Sequence, residues 1–588
     1  MAELLQTSDR FTVALQSKRD VNLTMPWFAG KSKYPPRPGN VLEPLINGER
    51  AFGAVHEAML NAKKSIDIVS WGFDPSMRLA RPSGERLGEL LRRKSDHSVR
   101  HGADFSTANV QVRVLIWKNA LANLAQANII GDGLMGSGGG TALGSGVGGL
   151  GSAGGGSSGD KSEFNDYADG IGNSAAVLRE DDEAKQFNRD WFRYQPPEME
   201  FRTRDFSLGD RVATISHQVA QRGMNSPTRT YLMADFASHH QKMILIDYEV
   251  PQDAVGFVMG HNLLRNYWDT DAHEYFSTLR NGFAPWQDLS CRVRGPVLFD
   301  LNENFMTAWD KAQGMGSKFF WTDARKARKS EDFIEPASQK GTGEMAQICR
   351  TQPQESDHSI LTAYKIALAN ARNYVYFENQ YFRYKEFADL LRTTRRKLKQ
   401  AGWKRDFHIF VVTNVPDGSG KLNTYEMLQA LGKGQLMPTV NKKNDGDSDS
   451  DAALRKSDLD GVKVHVCTLC AHAATPKGVK YKNIYVHSKL LLVDDVYFTL
   501  GSANVNVRSM EADTELNIAS PSPELTQQWR KHLWALHTGQ VPGDDMGAEF
   551  QRWRTLMSKN LDFKINSKPL LASLIEFFDG ESSTFAPD

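Results

Sequence analysis

The sequence predicts an α/β protein built from two similar lobes, and three observations lead there. Helical and strand periodicities alternate along the chain, which calls for helices layered on sheets. A helix–turn–strand pattern occurs twice, as EAMLNAKKSIDIVSWGF around Ser65 and IALANARNYVYFENQYF around Tyr374. Each copy is followed by the same spacing of histidine, lysine and aspartate.

In the first copy Phe52, Val55, Met59 and Ala62 recur at helical spacing before Ile66, Ile68 and Trp71 read as a strand. Each copy continues into a second strand, over residues 112–117 and 408–413. A basic helical stretch at 391–399 precedes the latter and reads as the solvated face of a helix packed on a sheet. Two segments interrupt the symmetry. Residues 131–160 are rich in glycine and serine, too poor in side chain to offset ordering entropy, and are expected to form a mobile insertion. Residues 441–451 are similarly polar. The polar, poorly periodic residues 322–354 read as the link, which divides the chain into lobes at 1–335 and 336–588, the second ending in a C-terminal tail.

Composition bounds the function. With 588 residues, 40% of them hydrophobic, the chain can bury large cores. Lysine and arginine number 71 against 70 acidic residues, so no global charge draws it to nucleic acid, and an anionic substrate must be met by a local site. Four cysteines make no disulfide framework, and Cys467, Cys470 and His472 match neither a haem nor a zinc motif. Pro26, Trp27 and Phe28, and the aromatic pair Phe283 and Trp286, are expected in the core rather than in a lipid interface. No apolar run reaches the roughly 18 residues of a spanning helix, and the N-terminus has no signal-peptide pattern. The expectation is a protein made in the cytoplasm, reaching any outside target by a route other than general secretion.

The chemistry sits in the repeated spacing. The first half carries His240-x-Lys242-x4-Asp247 and the second His487-x-Lys489-x4-Asp494, with the wholly apolar runs MILI and LLLV inside them. Histidine and lysine one residue apart at a strand edge project to the same side, so each half presents an imidazole with an ammonium. Two lysines can stabilise the charge that builds on equatorial oxygens when a phosphodiester is attacked. One imidazole can attack phosphorus while the other protonates the leaving alcohol and then activates water. Neither a HExxH cluster nor another set of metal ligands accompanies them, so no metal or cofactor is expected.

This duplicated pattern resembles the phospholipase D superfamily. Further segments look like the branch shared by eukaryotes and some bacteria: His239-His-Gln-Lys242, Pro285-Trp-Gln-Asp288, Glu378-Asn-Gln-Tyr-Phe382 and Gly501-Ser-Ala-Asn504 running on to Glu515. The resemblance implies two α/β/α lobes about a pseudo-two-fold axis with the active site at their interface. It implies His240 as nucleophile, His487 as general acid and base, and Lys242, Lys489, Asn262 and Asn504 on the phosphate oxygens. Asp288 and Glu515 would fix the imidazole tautomers, and Asp247 and Asp494 would be structural. Gly260-His261-Asn262 departs from the family's two small residues before asparagine, so His261 is expected to narrow or repolarise the pocket.

The implied activity is hydrolysis of phosphatidylcholine or phosphatidylethanolamine to phosphatidic acid, with transfer to other alcohols as a side reaction. Alternatives are a cardiolipin synthase-like phosphatidyltransferase, a nuclease of the same superfamily, or a non-enzymatic membrane-binding protein. The chain also resembles phospholipase toxins delivered into neighbouring bacteria by type VI secretion. Expected partners are then membrane phospholipid, the secretion apparatus and an immunity protein, with contacts after about Val541, and no nucleic acid.

Overall fold

The computed structural model describes residues 10–14, 20–24, 27–30, 32–95, 110–117, 174–193, 199–222, 237–280, 284–314, 343–416, 420–441, 459 and 461–580. The glycine-rich stretch 131–160, the polar stretch beyond 441 and residues 322–342 of the predicted link lie outside them.

The first lobe contains β1 (Arg37–Ile46), α1 (Asn47–Asn61), β2 (Ser65–Ser70), β3 (Gln111–Trp117), β4 (Met199–Arg204), β5 (Met243–Ile246), β6 (Val255–Met259), β7 (Leu289–Arg294) and α2 (Leu298–Asp310). Its sheet runs β1-β7-β6-β5-β2-β3-β4, with β2, β3 and β4 parallel and the other pairings antiparallel. The second lobe contains β8 (Glu344–Gln352), α3 (Ser359–Asn370), β9 (Tyr374–Asn379), α4 (Lys385–Gln400), β10 (Phe407–Val412), β11 (Val462–Thr475), β12 (Gly478–Val486), β13 (Lys489–Val493), β14 (Tyr497–Gly501), β15 (Glu515–Ser520) and α5 (Pro523–Thr538). Its order, β8-β15-β14-β13-β9-β10-β11, repeats the first sheet strand for strand and direction for direction, with β12 added beside β11. The predicted two-lobed α/β fold with internal symmetry is what forms.

The apolar runs inside the two motifs follow from burial on both sheet faces. Along β5, Met243 and Leu245 point into a core shared by both lobes, while Ile244 and Ile246 point into the outer core of the first lobe with α1. Along β13, Leu490 and Leu492 enter the shared core and Leu491 and Val493 the outer core of the second lobe. Period-two geometry with neither face exposed to water demands an apolar residue at every position. The shared core, which joins Leu245, Val258 and Leu289 to Leu490, Leu500 and Leu516, holds the lobes together as one body.

One expectation needs correction. The end of the predicted link is strand β8, which pairs with β15 and, across the lobe boundary, with β1. Two of its buried polar side chains find their partners off the strand: Gln347 Nε2 donates to the carbonyls of Ala29 and Tyr34, 318 and 313 residues back, and Arg350 pairs with Asp357 and Glu355 just beyond the strand's end. Buried polar side chains among the apolar ones leave no alternation to reveal the strand. Of the aromatic groups, Trp27 stacks on Tyr497 with ring centroids 5.3 Å apart and Phe28 and Trp286 are buried, as expected, while Pro26 and Phe283 lie outside the described residues.

Candidate active site

Each motif histidine stands just before the strand that carries its lysine's neighbours, and each is gripped by the opposite lobe. His240 donates its backbone N–H to the carbonyl of Thr514 at 2.9 Å, and its Nδ1 lies 2.9 Å from Oε1 of the next residue, Glu515. His487 donates its N–H to the carbonyl of Gln287 at 2.7 Å, and its Nδ1 lies 2.7 Å from Oδ2 of the next residue, Asp288. The backbone contacts belong to a pair of short parallel associations across the boundary, His239 beside Thr514 and Trp286–Gln287 beside the end of β12. Which histidine each carboxylate serves was not legible in the sequence; the answer is the one from the other half.

The lysines close the ring. Lys242 Nζ donates to the His240 carbonyl at 2.8 Å, and Lys489 Nζ donates to the His487 carbonyl and sits 3.0 Å from Nε2 of the same ring. Burial holds both imidazoles well below the usual histidine range, and both lysines, one from each lobe, push in the same direction on both rings. Burial also lowers Lys242 to about 8 against the pull of Glu515 and Asp288, and lowers Lys489 well below the usual lysine range against Asp288. Burial raises Asp288 and Glu515 to about 7 against the same two lysines. Ionised near neutral pH, each carboxylate accepts Nδ1–H and leaves Nε2 as the working nitrogen. Aromatic walls supply the desolvation: Trp71 meets His240 edge-on at 6.1 Å, and Tyr267 and Trp286 flank His487 at 4.8 and 5.6 Å.

Asn262 and Asn504 are buried, and the Oδ1 atom of each has no partner among the described residues. Asn262 Nδ2 donates to the hydroxyl of Tyr267, which lies 3.5 Å from His487 Nε2. Tyr267 is a site residue that sequence reasoning missed. Its signal was only its place five residues after Asn262.

Asp247 and Asp494 sit apart from this cluster. Both occupy left-handed backbone, φ 53° in each case, and both turn their carboxylates onto the turn that leads from helix to strand. Asp247 accepts the N–H groups of Lys63, Lys64 and Ser65 before β2, and Asp494 those of Arg372, Asn373 and Tyr374 before β9. His261 is accommodated within the first lobe: its ring meets Phe52 edge-on, and its Nδ1 lies 2.8 Å from Ser290 Oγ. Among the described residues no group of three or more metal-ligating side chains is assembled.

Two family models match the chain, one described as phospholipase D over residues 198–386 and one as cardiolipin synthase, PLD-like domain, over 364–537. The chain belongs to the phospholipase D superfamily. Between them the two matches contain both histidine–lysine motifs of this phospholipase D superfamily member. It is 25% identical over 395 residues to phospholipase D alpha 3 of Arabidopsis thaliana, covering 51% of this chain and 47% of that one. To phospholipase D beta 1 of the same plant it is 27% identical over 413 residues, covering 55% and 37%. The chain thus spans about half the length or less of the curated relatives it matches. Among solved structures, phosphatidylserine synthase of Haemophilus influenzae aligns with a TM-score of 0.39 at 12% identity, over 90% of this chain and 95% of that one. Superfamily membership and the phospholipase D relatives support a phosphodiesterase-type enzyme, and no helix of the described residues is long and apolar enough to cross a membrane.

Proposed function

We propose that the protein is a phospholipase D that hydrolyses phosphatidylcholine or phosphatidylethanolamine to phosphatidic acid through a covalent phosphohistidine. The observation that carries this reading is the exchange of carboxylates: each imidazole is oriented by the opposite lobe, and a buried lysine from either lobe acts on both rings. His240 Nε2 attacks phosphorus and forms a P–N bond as the bond to the head-group oxygen breaks. His487 gives its Nε2 proton to that oxygen. It then takes a proton from water, whose oxygen displaces His240. Lys242, Lys489, Asn262 and Asn504 hold the phosphoryl oxygens, while Asp288 and Glu515 keep Nδ1–H in place. The order of the two histidines is taken from the superfamily resemblance.

Transfer to a second alcohol in place of water is the other reading, favoured by the cardiolipin synthase description of the model matching 364–537. Incubation with mixed phospholipids plus ethanol or glycerol, with products analysed by mass, separates the two. Phosphatidic acid with a minor phosphatidylalcohol is the expected result; transfer product alone would make it a transferase, and neither product would refute the lipid reading. For delivery we propose type VI secretion as an antibacterial toxin with a neutralising immunity partner, supported by resemblance alone. A competition assay in which the His240→Ala strain kills neighbours as well as its parent would end that proposal.

A further inference from the structure

The two half-sites repeat the histidine, the lysine and the opposed carboxylate, and differ most in what stands behind them. Val69 of β2 pairs with Met243, the residue after Lys242, and Glu378 of β9 pairs with Leu490, the residue after Lys489. A neutral branched side chain in one lobe is thus answered by a carboxylate in the other. Glu378 is wholly buried. Its Oε1 accepts from Gln287 Nε2 at 2.8 Å and Ser488 Oγ at 2.7 Å, and its Oε2 from Tyr376 OH at 2.5 Å and His537 Nε2 at 2.8 Å. Four donors occupy the lone-pair directions of an ionised carboxylate and leave no place for a proton. Burial pushes the acid upward, but His537, Tyr376 and Ser488 together hold it below the usual glutamate range.

Two of those donors flank the His487–Asp288 pair. Gln287 precedes Asp288 and its carbonyl receives the His487 N–H, while Ser488 lies between His487 and Lys489. Gln287 is clamped from its other side by His273 Nε2 at 2.8 Å, and His273 by Asp269 at 3.0 Å, which also takes Arg280. The chain of contacts from Asp269 to His537 on α5 therefore crosses the lobe boundary directly behind one histidine. The counterparts of Ser488 and Gln287 around His240 bond neutral groups, Gln241 to Gln352 and Asn304 and Thr514 to His239, and the nearby Asp513 is paired with Arg508.

We propose that Glu378 is a positioning residue that sets His487 apart from His240 as the proton donor. The inference rests on the phosphodiester reading above and gives a structural cause to roles otherwise taken from resemblance. Around His487 stand Asp288, Lys489, Lys242, His240, His261 and the Tyr267 hydroxyl. The lysines oppose a charge on the ring, and Asp288 with the fixed negative Glu378 behind it favours one. His240 has Glu515 with a neutral layer behind it, and the charges of Lys242, Lys489, Asp513 and Arg508 around it. In the step concerned, the Nε2 proton of His487 moves to the departing alcohol oxygen as the P–O bond breaks and the P–N bond to His240 forms. Glu378 keeps its charge throughout.

The test compares leaving groups. Choline must be protonated to depart, whereas p-nitrophenolate departs unaided. In Glu378→Gln, first-turnover choline release from phosphatidylcholine should slow about 10- to 100-fold, as for other outer-layer partners of a working histidine. The nitrophenol burst from bis(p-nitrophenyl) phosphate should stay near wild type, with KM unchanged for both. Equal slowing of both substrates would reduce Glu378 to scaffold and overturn the inference; an unaffected choline rate would do the same. Should Glu378→Gln melt early, His537→Ala, which leaves the carboxylate but removes one donor, must show the same split in smaller measure, and an even loss there overturns the proposal. Wild-type enzyme inert to phosphatidylcholine counts against the proposed function, whereas an active wild type with an even loss in the variants counts against this inference alone.

Discussion

Replacing Asp494 measures what the last residue of each motif contributes. Its Oδ1 accepts from Asn373 N at 2.9 Å and Tyr374 N at 2.7 Å, and its Oδ2 from Arg372 N at 2.7 Å. Asparagine keeps one acceptor oxygen and turns an amide NH2 toward Arg372 N–H, so one charge-assisted bond is lost at about 1.5–3 kcal/mol and two are weakened. Asp247 differs: Oδ1 reaches all three of Lys63, Lys64 and Ser65 at 2.9, 2.7 and 3.1 Å, while Oδ2 only shares the Lys63 N–H, at 2.9 Å. Asp247→Asn can therefore keep an acceptor for each N–H and is expected to cost less, roughly 1 kcal/mol for the lost charge. Alanine at either site loses all the bonds and adds about 1–2 kcal/mol for left-handed backbone, which asparagine tolerates. Urea midpoints at constant slope report the differences, and turnover per folded molecule should stay near wild type in all four variants. An Asp494→Asn protein as stable as its parent would refute the bonding argument. Lost turnover at wild-type stability would move the carboxylate into the chemistry.

His240→Ala and His487→Ala should each lower head-group release by on the order of 10⁴-fold with unchanged melting; near-wild-type turnover in either would contradict the two-lobed site. The dependence of kcat/KM on pH should be a narrow bell. The working form appears as Asp288 and Glu515 ionise near pH about 7 and fades as the two burial-lowered lysines, Lys242 at about 8, lose their protons, so a flat profile from pH 6 to 9 contradicts the assignment. Chelators should leave activity unchanged, because Lys242 and Lys489 supply the charge on the phosphoryl oxygens; strong inhibition by EDTA would point to a metal requirement. Gly260→Ala would bring Cβ to 2.4 Å from Asp288 Oδ1 and 2.6 Å from the Leu289 carbonyl, and should destabilise by about 1–3 kcal/mol and displace Asp288 from His487. A variant with wild-type turnover would show that the aspartate has room.

The fold was legible where local pattern and global burial agree. The doubled helix–strand unit announced both sheets, because β2, β5, β9 and β13 are buried on both faces: MILI and LLLV are wholly apolar, and the polar residues of β2 and β9 are paired ones such as Asp67 and Glu378. Strand β8 was not legible, because Gln347 and Arg350 are satisfied by partners about 313 and 7 residues away, and composition cannot report a bond. The site followed the same division. Histidine and lysine could be placed together by strand geometry alone, but the pairing of His240 with Glu515 and His487 with Asp288 depends on how two lobes meet, spanning 275 and 199 residues.

That crossing has a consequence for how the site can fail. Neither lobe holds a complete charge pair: separated, each would leave an imidazole without its acceptor and a carboxylate without its donor, and would bare its side of the shared core to water. Docking of the lobes and assembly of the chemistry are therefore one event. A mutation in the shared core, at Leu245 or Leu490 for example, therefore acts on both histidines at once. The same duplication would leave the half-sites chemically equal, and a reaction with one nucleophile and one acid needs them unequal. Ser502, whose hydroxyl bonds Glu515 at 2.5 Å, and Gly260, whose missing side chain admits Asp288, begin that division in the inner layer. Glu378 completes it from behind.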